Sequence, residues 1–128
     1  MTAEYESPFT STPAFAENLH ARAIRDRFPV APGHSLIISR RIVSRYDALH
    51  AEEKRSMWDL VDKVLDLLKE ETGATDFNIG INMGPAAGQT VWHVHIHVIP
   101  RNAGDVEDPR GGVRGVIAEK QKYQDAEE

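Results

Sequence analysis

From His93 to Val98 polar and apolar residues alternate without a break, the histidines 93, 95 and 97 against Val94, Ile96 and Val98. This is the two-residue period of a half-buried strand and not the 3.6-residue period of a helix. The three imidazoles therefore leave one face, and the branched aliphatic side chains leave the other toward a core. A second alternating run, residues 76–84, precedes it across a loop at residues 85–88, which predicts two antiparallel neighbours. Residues 35–39, with Leu36-Ile37-Ile38, read as a buried strand, and residues 20–26 as another. The turn between them holds Pro29 and Pro32, which lack a backbone donor, and Gly33, which is free to take positive φ. Residues 14–19 read as a short helical turn.

The period changes over residues 51–71. Met57, Leu60, Val61, Val64, Leu65 and Leu68 recur at steps of three and four, while Glu52, Glu53, Lys54, Asp62, Lys63 and Lys69 are placed toward water. Acidic residues open this helix and Gly73 stands where it would be capped. Trp58 and Leu67 sit off the main stripe. The pattern predicts an α+β fold in a single domain spanning residues 1–128: an antiparallel sheet of about five strands, one long helix and a short N-terminal helix. Residues 1–13 read as a mobile lead-in, with Phe9 its candidate for docking on the core. Residues 105–128 form a Gly- and Arg-containing C-terminal segment whose acidic end, residues 125–128, is expected to fray.

Composition narrows the classes. The 128 residues carry a formal net charge of −5, which argues against binding of a nucleic acid polymer, since that calls for a basic face. Small anions remain open, because a few arginines and backbone N–H groups can make a local positive site. Arg110 and Arg114, interleaved with Gly111, Gly112 and Gly115, are one such candidate, and a flexible tail is the other reading. Arg40, Arg41 and Arg45 read as a solvated loop. No run of about twenty apolar residues predicts a membrane span, and no basic start followed by an apolar stretch marks secretion. The absence of cysteine is compatible with a reducing compartment, and the expected location is cytoplasmic.

Three histidines on one strand face suggest a metal site or a set of reacting groups. Residues two apart on a strand are separated by about 6.5 to 7 Å, so His93 and His97 stand about 13 Å apart at the backbone. Zinc needs each ligand nitrogen at about 2 Å, a convergence that three imidazoles of one strand meet poorly. No metal site is expected. A neutral imidazole is a good nucleophile near pH 7, and His95, flanked on both sides, is the best placed to attack. To present Nε2 it must keep its proton on Nδ1 and donate it to a carbonyl. His93 and His97 stand on either side of it on the same face.

His-x-His-x-His followed by two apolar residues, preceded by Gly88-Gln89-Thr90-Val91, resembles the histidine triad family of nucleotide hydrolases and transferases. The continuation Ile99-Pro100-Arg101-Asn102-Ala103-Gly104-Asp105 is similar to the branch of fragile histidine triad diadenosine polyphosphate hydrolases, and the resemblance covers residues 15–123. It implies cleavage at the α-phosphate of a nucleoside 5′-phosphate derivative, a diadenosine polyphosphate, through a nucleotidyl-histidine intermediate on His95. Nucleoside phosphoramidate hydrolysis, adenylyl transfer to a phosphate acceptor, and nucleotide binding for signalling with little turnover are the alternatives. By the same resemblance Asp26 matches the group that bonds the ribose hydroxyls, Ile24 lies under the base, and His34 is the fourth histidine, behind the triad; on such a substrate His97 is placed to donate to a non-bridging phosphate oxygen, and His93 with His34 to hold the array and share protons near the leaving group. An amide at Asn82 and the hydroxyl of Thr90 contact phosphates, with Gln89 beside them. For Asp26 and Gln89 a purely turn-forming role stays open. The resemblance implies no required cofactor beyond magnesium arriving with a polyphosphate, and a homodimer whose sheets join. Trp92 and Ala118 depart from related sequences.

Overall fold

The computed structural model describes residues 5–122. Five strands form one antiparallel sheet: β1 (Ala16–Glu17), β2 (Ala21–Arg25), β3 (Ser35–Ser39), β4 (Asp76–Gly80) and β5 (His95–Arg101), in the spatial order β1-β2-β3-β5-β4. One helix, α1 (Ala51–Thr72), joins β3 to β4. Its apolar stripe of Met57, Leu60, Val61, Val64 and Leu68 is buried against Ala21, Ala23, Ile37, Ile96 and Val98. The alanines of β2 let the helix approach closely. Helix packing thus consumes one face of the sheet and leaves the other for chemistry.

That second face is read from the register. Ile24 pairs with Leu36, Leu36 with His97, and Ile38 with His95, so two imidazoles continue an aliphatic row. Phe9 closes over it, joining Ile24, Leu36 and Ile38 in a second apolar cluster.

The helix caps follow the sequence. The His50 N–H donates to Glu53 Oε1 at 2.7 Å, and Gly73, at φ 76°, takes the left-handed conformation with its N–H on the Lys69 carbonyl. Glu53, however, does not face water. It is buried and receives two hydrogen bonds from Arg41, 2.8 and 3.0 Å long, so Arg41 fastens the end of β3 to the start of α1 and is not a bystander of a solvated loop. Arg40 pairs with Glu17 and Arg45 with Asp47.

Four further expectations change. The short N-terminal helix at residues 14–19 is absent: the Phe15 N–H donates to the Ala23 carbonyl, and Ala16 pairs with Ala23 in β1. An available sheet edge gives these six residues hydrogen bonds that one isolated helical turn does not supply. The 76–84 run makes ladder pairs only to Gly80, where it meets His97. The triad strand enters the ladder at His95, because the Val94 N–H is already given to the Val43 carbonyl. Within the 1–13 lead-in, Ser7 and Phe9 are buried. Residues 1–4 of that lead-in and the acidic end at 125–128 lie outside the described residues. No helix among the described residues is long and apolar enough to cross a membrane.

Gly33 turns the chain from β2 toward β3 at φ 87°, and a Cβ there would stand 2.9 Å from Thr72 Cγ2 and 3.2 Å from Leu68 Cδ2. Gly33→Ala therefore meets both backbone strain and α1, and should lower stability by about 1–3 kcal/mol in denaturant unfolding. Space alone is not the obstacle at Gly73, where nothing lies within 4 Å.

Candidate active site

The turn from Asp26 to His34 is built by its own backbone. The Asp26 N–H donates to the His34 carbonyl at 3.1 Å, and Asp26 Oδ1 accepts the Phe28 N–H at 2.8 Å. The Val30 N–H donates to His34 Nδ1 at 3.1 Å. An acceptor nitrogen carries no hydrogen, so neutral His34 holds its proton on Nε2. Nε2 faces His97 Nδ1 at 3.0 Å and Asp26 Oδ2 at 3.3 Å. His97 Nδ1 is then an acceptor in turn, and the His97 proton sits on Nε2, pointing away from His34.

A second relay fixes the other two rings. His95 Nδ1–H donates to the His93 carbonyl at 2.7 Å, and since a carbonyl only accepts, the Nε2 lone pair of His95 is left free. The His93 carbonyl can serve this way because His93 precedes the ladder. His93 Nε2–H donates to the Ser39 carbonyl at 2.7 Å, and its Nδ1 accepts from the Ser7 hydroxyl at 2.6 Å. Ser7 Oγ in turn accepts the Phe9 N–H. The Phe9 ring meets His95 edge-on, with centroids 5.0 Å apart.

His93, 2% exposed, has both ring nitrogens engaged and does not line the cavity. Its place is behind His95, and the expected proton sharing near a leaving group has no free nitrogen to act through. Phe9 docks on the core as expected, but its contact with the histidines and the role of Ser7 were not legible in the sequence, because nothing in residues 5–13 signals contact with a strand more than eighty residues away.

A cavity of about 370 Å³ opens in front of these groups. It brings together Ile24, Asp26, His34, Asn82, Gln89, Thr90, His95 and His97, every expected site residue except His93. Ile24 is buried beneath it, beside Leu36 and Phe9. Thr90 is exposed at its rim and Asn82 is half-buried. Gln89 spends its amide on the loop instead: Oε1 accepts the Gly84 N–H at 2.8 Å, and Nε2 donates to the carbonyls of Ser44 and Val91 at 2.6 and 3.0 Å. It shapes the wall between residues 84 and 91, the turn-forming role left open for it.

The C-terminal arginines are engaged within their own segment. Arg110 pairs with Asp108, and Arg114 donates to the carbonyls of Lys120 and Gln121.

Burial depresses all four imidazoles. For His34 desolvation outweighs the raising effect of Asp26. For His93 and His95 it outweighs their bonds to the Ser39 and His93 carbonyls. His97 is lowered to about 4 by burial and then by His95 and His34. The site is thus neutral and nucleophilic near pH 7.

Asp26, His34 and His97 are the one group among the described residues with the spacing to hold a metal ion, their ligand atoms lying within 4.8 Å of one another. The Val30 N–H opposes it. Ligation by His34 Nε2 would move the proton to Nδ1 and set two donors face to face at 3.1 Å.

Residues 10–104 match the HIT domain family model. The chain is 43% identical over 79 residues, 62% of this chain and 44% of the relative, to the bifunctional bis(5'-adenosyl)-triphosphatase/adenylylsulfatase FHIT of Arabidopsis thaliana. It is 41% identical over 80 residues, again 62% of this chain and 44% of the relative, to the asymmetrical bis(5'-nucleosyl)-tetraphosphatase of Schizosaccharomyces pombe. It spans about half the length of these curated relatives. Among solved structures, the Plasmodium falciparum diadenosine triphosphate hydrolase in complex with cyclomarin A superposes with a TM-score of 0.73 at 30% identity, covering 84% of this chain and 76% of that one.

Two measurements follow from the histidine network. Ser7→Ala leaves the buried His93 Nδ1 without a donor and should lower stability by about 1–3 kcal/mol in denaturant unfolding. The second is pH dependence. Folded-state pKa values below the unfolded 6.5 mean that the unfolded chain takes up protons first as pH drops. Stability conferred by the neutral rings is full above pH 6.5 and falls below it, with the His97 contribution lost by about pH 4. The urea midpoint should therefore drop steadily from pH 6.5 to 4.

Proposed function

The chain belongs to the histidine triad, or HIT domain, family, and we propose that it is a nucleotide hydrolase acting at the α-phosphate of a diadenosine polyphosphate through a nucleotidyl-histidine intermediate. The observation that carries this reading is the orientation of His95. Its proton is held on Nδ1 by the His93 carbonyl at 2.7 Å, so Nε2 presents a lone pair to a cavity that also holds Asp26, Asn82 and His97. Both curated relatives compared above bear names of dinucleoside polyphosphate hydrolases.

In the proposed reaction His95 Nε2 attacks the α-phosphorus, and the bond from phosphorus to the bridging oxygen breaks. The departing polyphosphate takes the electron pair. The imidazole gains positive charge while bound to phosphorus, and the His93 carbonyl on Nδ1–H steadies that charge. His97, its Nδ1 held by His34, donates Nε2–H to a non-bridging oxygen as negative charge gathers there. Water then attacks the same phosphorus, the P–N bond breaks, a proton is released and AMP leaves. His93 is a positioning residue in this scheme.

Substrate is held by Asp26, a carboxylate able to accept from both ribose hydroxyls, by Ile24 beneath the base, and by Asn82 and Thr90 along the phosphates. The proposed steps call on no metal held by the chain, with magnesium entering only as the companion of a polyphosphate. Among the described residues the outer edge of β4 has no strand partner in the sheet, which supports a homodimer with joined sheets.

Intact-mass spectrometry after mixing chelator-treated protein with diadenosine tetraphosphate and quenching in base should show added AMP, lost on acid treatment and absent in His95→Ala. That variant should lose turnover while keeping nucleotide affinity within a few-fold. Turnover that persists in His95→Ala would refute the mechanism. His97→Ala should lower kcat by about 10²–10³.

A further inference from the structure

The His97 side of the cavity is not closed. A second groove of about 500 Å³ begins there, sharing Val30, His34, Asn82 and His97 with the triad cavity and running on over Gly80 and Ile99 to the five-residue turn Gly112–Val116.

Two features of this groove have no role in packing. The first is Gly80. It stands opposite His97 in the register of β4 and β5, and it is not among the positive-φ glycines, so its backbone does not demand glycine. A Cβ there would meet nothing within 4 Å, so no neighbour demands it either. Gly80 ends the strand, and what its missing side chain provides is open floor beside His97.

The second is the far wall. Val113 and Val116 are 63% and 79% exposed on a turn that is firmly tied in place. Arg114 donates to the Lys120 and Gln121 carbonyls, and Gln121 Nε2 donates to the Arg110 carbonyl. Gly111 makes the crossing possible, since a Cβ there would lie 1.8 Å from the Gln121 carbonyl oxygen. The turn is therefore held with its apolar side chains facing the groove.

We infer that this groove is the subsite for the leaving half of the substrate, and that it takes the second nucleoside of a dinucleoside polyphosphate. The inference rests on the function proposed above. The triad cavity accommodates the first nucleoside and the reacting phosphate. A phosphate chain leaving past His97 and Asn82 enters the groove directly, because those residues border both spaces. The apolar wall of Val113, Val116 and Ile99 suits a purine, whereas an ammonia or phosphate leaving group would gain nothing from it. A second copy of this chain at the free edge of β4 is the competing occupant. It would pair along the strand edge, and the groove lies on the sheet face with its mouth at His97.

The test compares diadenosine tetraphosphate with adenosine 5′-tetraphosphate, which has the same phosphate chain but lacks the second adenosine. Both are titrated calorimetrically into the His95→Ala protein, where neither is consumed. We expect the dinucleotide to bind about tenfold tighter. Gly80→Leu, which fills the floor, and Val116→Asp, which charges a wall residue already exposed, should each bring the two ligands close to parity. Because Val116 is at the surface, the second variant reads the subsite even if the first fails to fold. Equal affinity of the two ligands before either substitution, or a preference that survives both, overturns the subsite while leaving the proposed function standing. A preference that survives, together with loss of dimer in either variant by light scattering, gives the groove to a second copy. Failure of both ligands to bind overturns the subsite and the nucleotide reading together.

Discussion

Each imidazole of the site carries one proton, and the side on which it sits is decided by groups that cannot change roles. The Val30 N–H can only donate, so His34 Nδ1 accepts and His34 Nε2 donates to His97. The carbonyls of His93 and Ser39 can only accept, so His95 protonates Nδ1 and His93 protonates Nε2. One free lone pair, on His95, and one outward donor, on His97, are left by these rules. In a neutral, buried cluster such an arrangement has no low-cost alternative, since reversing any ring sets like against like.

The fold supports that constraint from two directions. The sheet places His95 and His97 beside Ile38 and Leu36, so their low-dielectric surroundings come from the same row of aliphatic residues that lies beneath the cavity. The turn at residues 26–34 is held to α1 through close contact at Gly33, which ties the fourth histidine to the packed core. Arg41 and Glu53 hold the other end of β3 to the same helix. The histidines are thus depressed by burial while the scaffold fixes their direction, and both effects favour a neutral nucleophile at physiological pH.

Beyond the triad the protein leaves space where packing would allow it to be filled. Gly80 leaves the floor open, and the exposed Val113 and Val116 on the far wall do not favour solubility taken alone. They line a continuous groove from His97 to the C-terminal turn. On the function and subsite proposed above, the retained nucleotide falls to the conformationally fixed 26–34 turn, and the departing half to β4 and the stitched C-terminal turn.

Periodicity alone determined the strand of histidines, the facing of Val94, Ile96 and Val98 to the core, the long helix with its stripe, and the antiparallel neighbour before the triad. These are legible because local spacing and burial share a period. The family motif further marked Asp26, His34 and Asn82 by spacing, and the fold brings them to one cavity. What tertiary structure decided depends on contacts between distant segments. Within residues 14–19, Ala16 and Glu17 became an edge strand because β2 offered hydrogen bonds. Glu53 was buried because Arg41 reached it from another element. Gln89 was spent on backbone carbonyls of its own loop and of Ser44. Ser7 and Phe9 came to lie against His93 and His95, across more than eighty residues of chain. None of these contacts leaves a periodic trace, because each is set by which group happens to satisfy a donor or acceptor after the sheet and helix have packed.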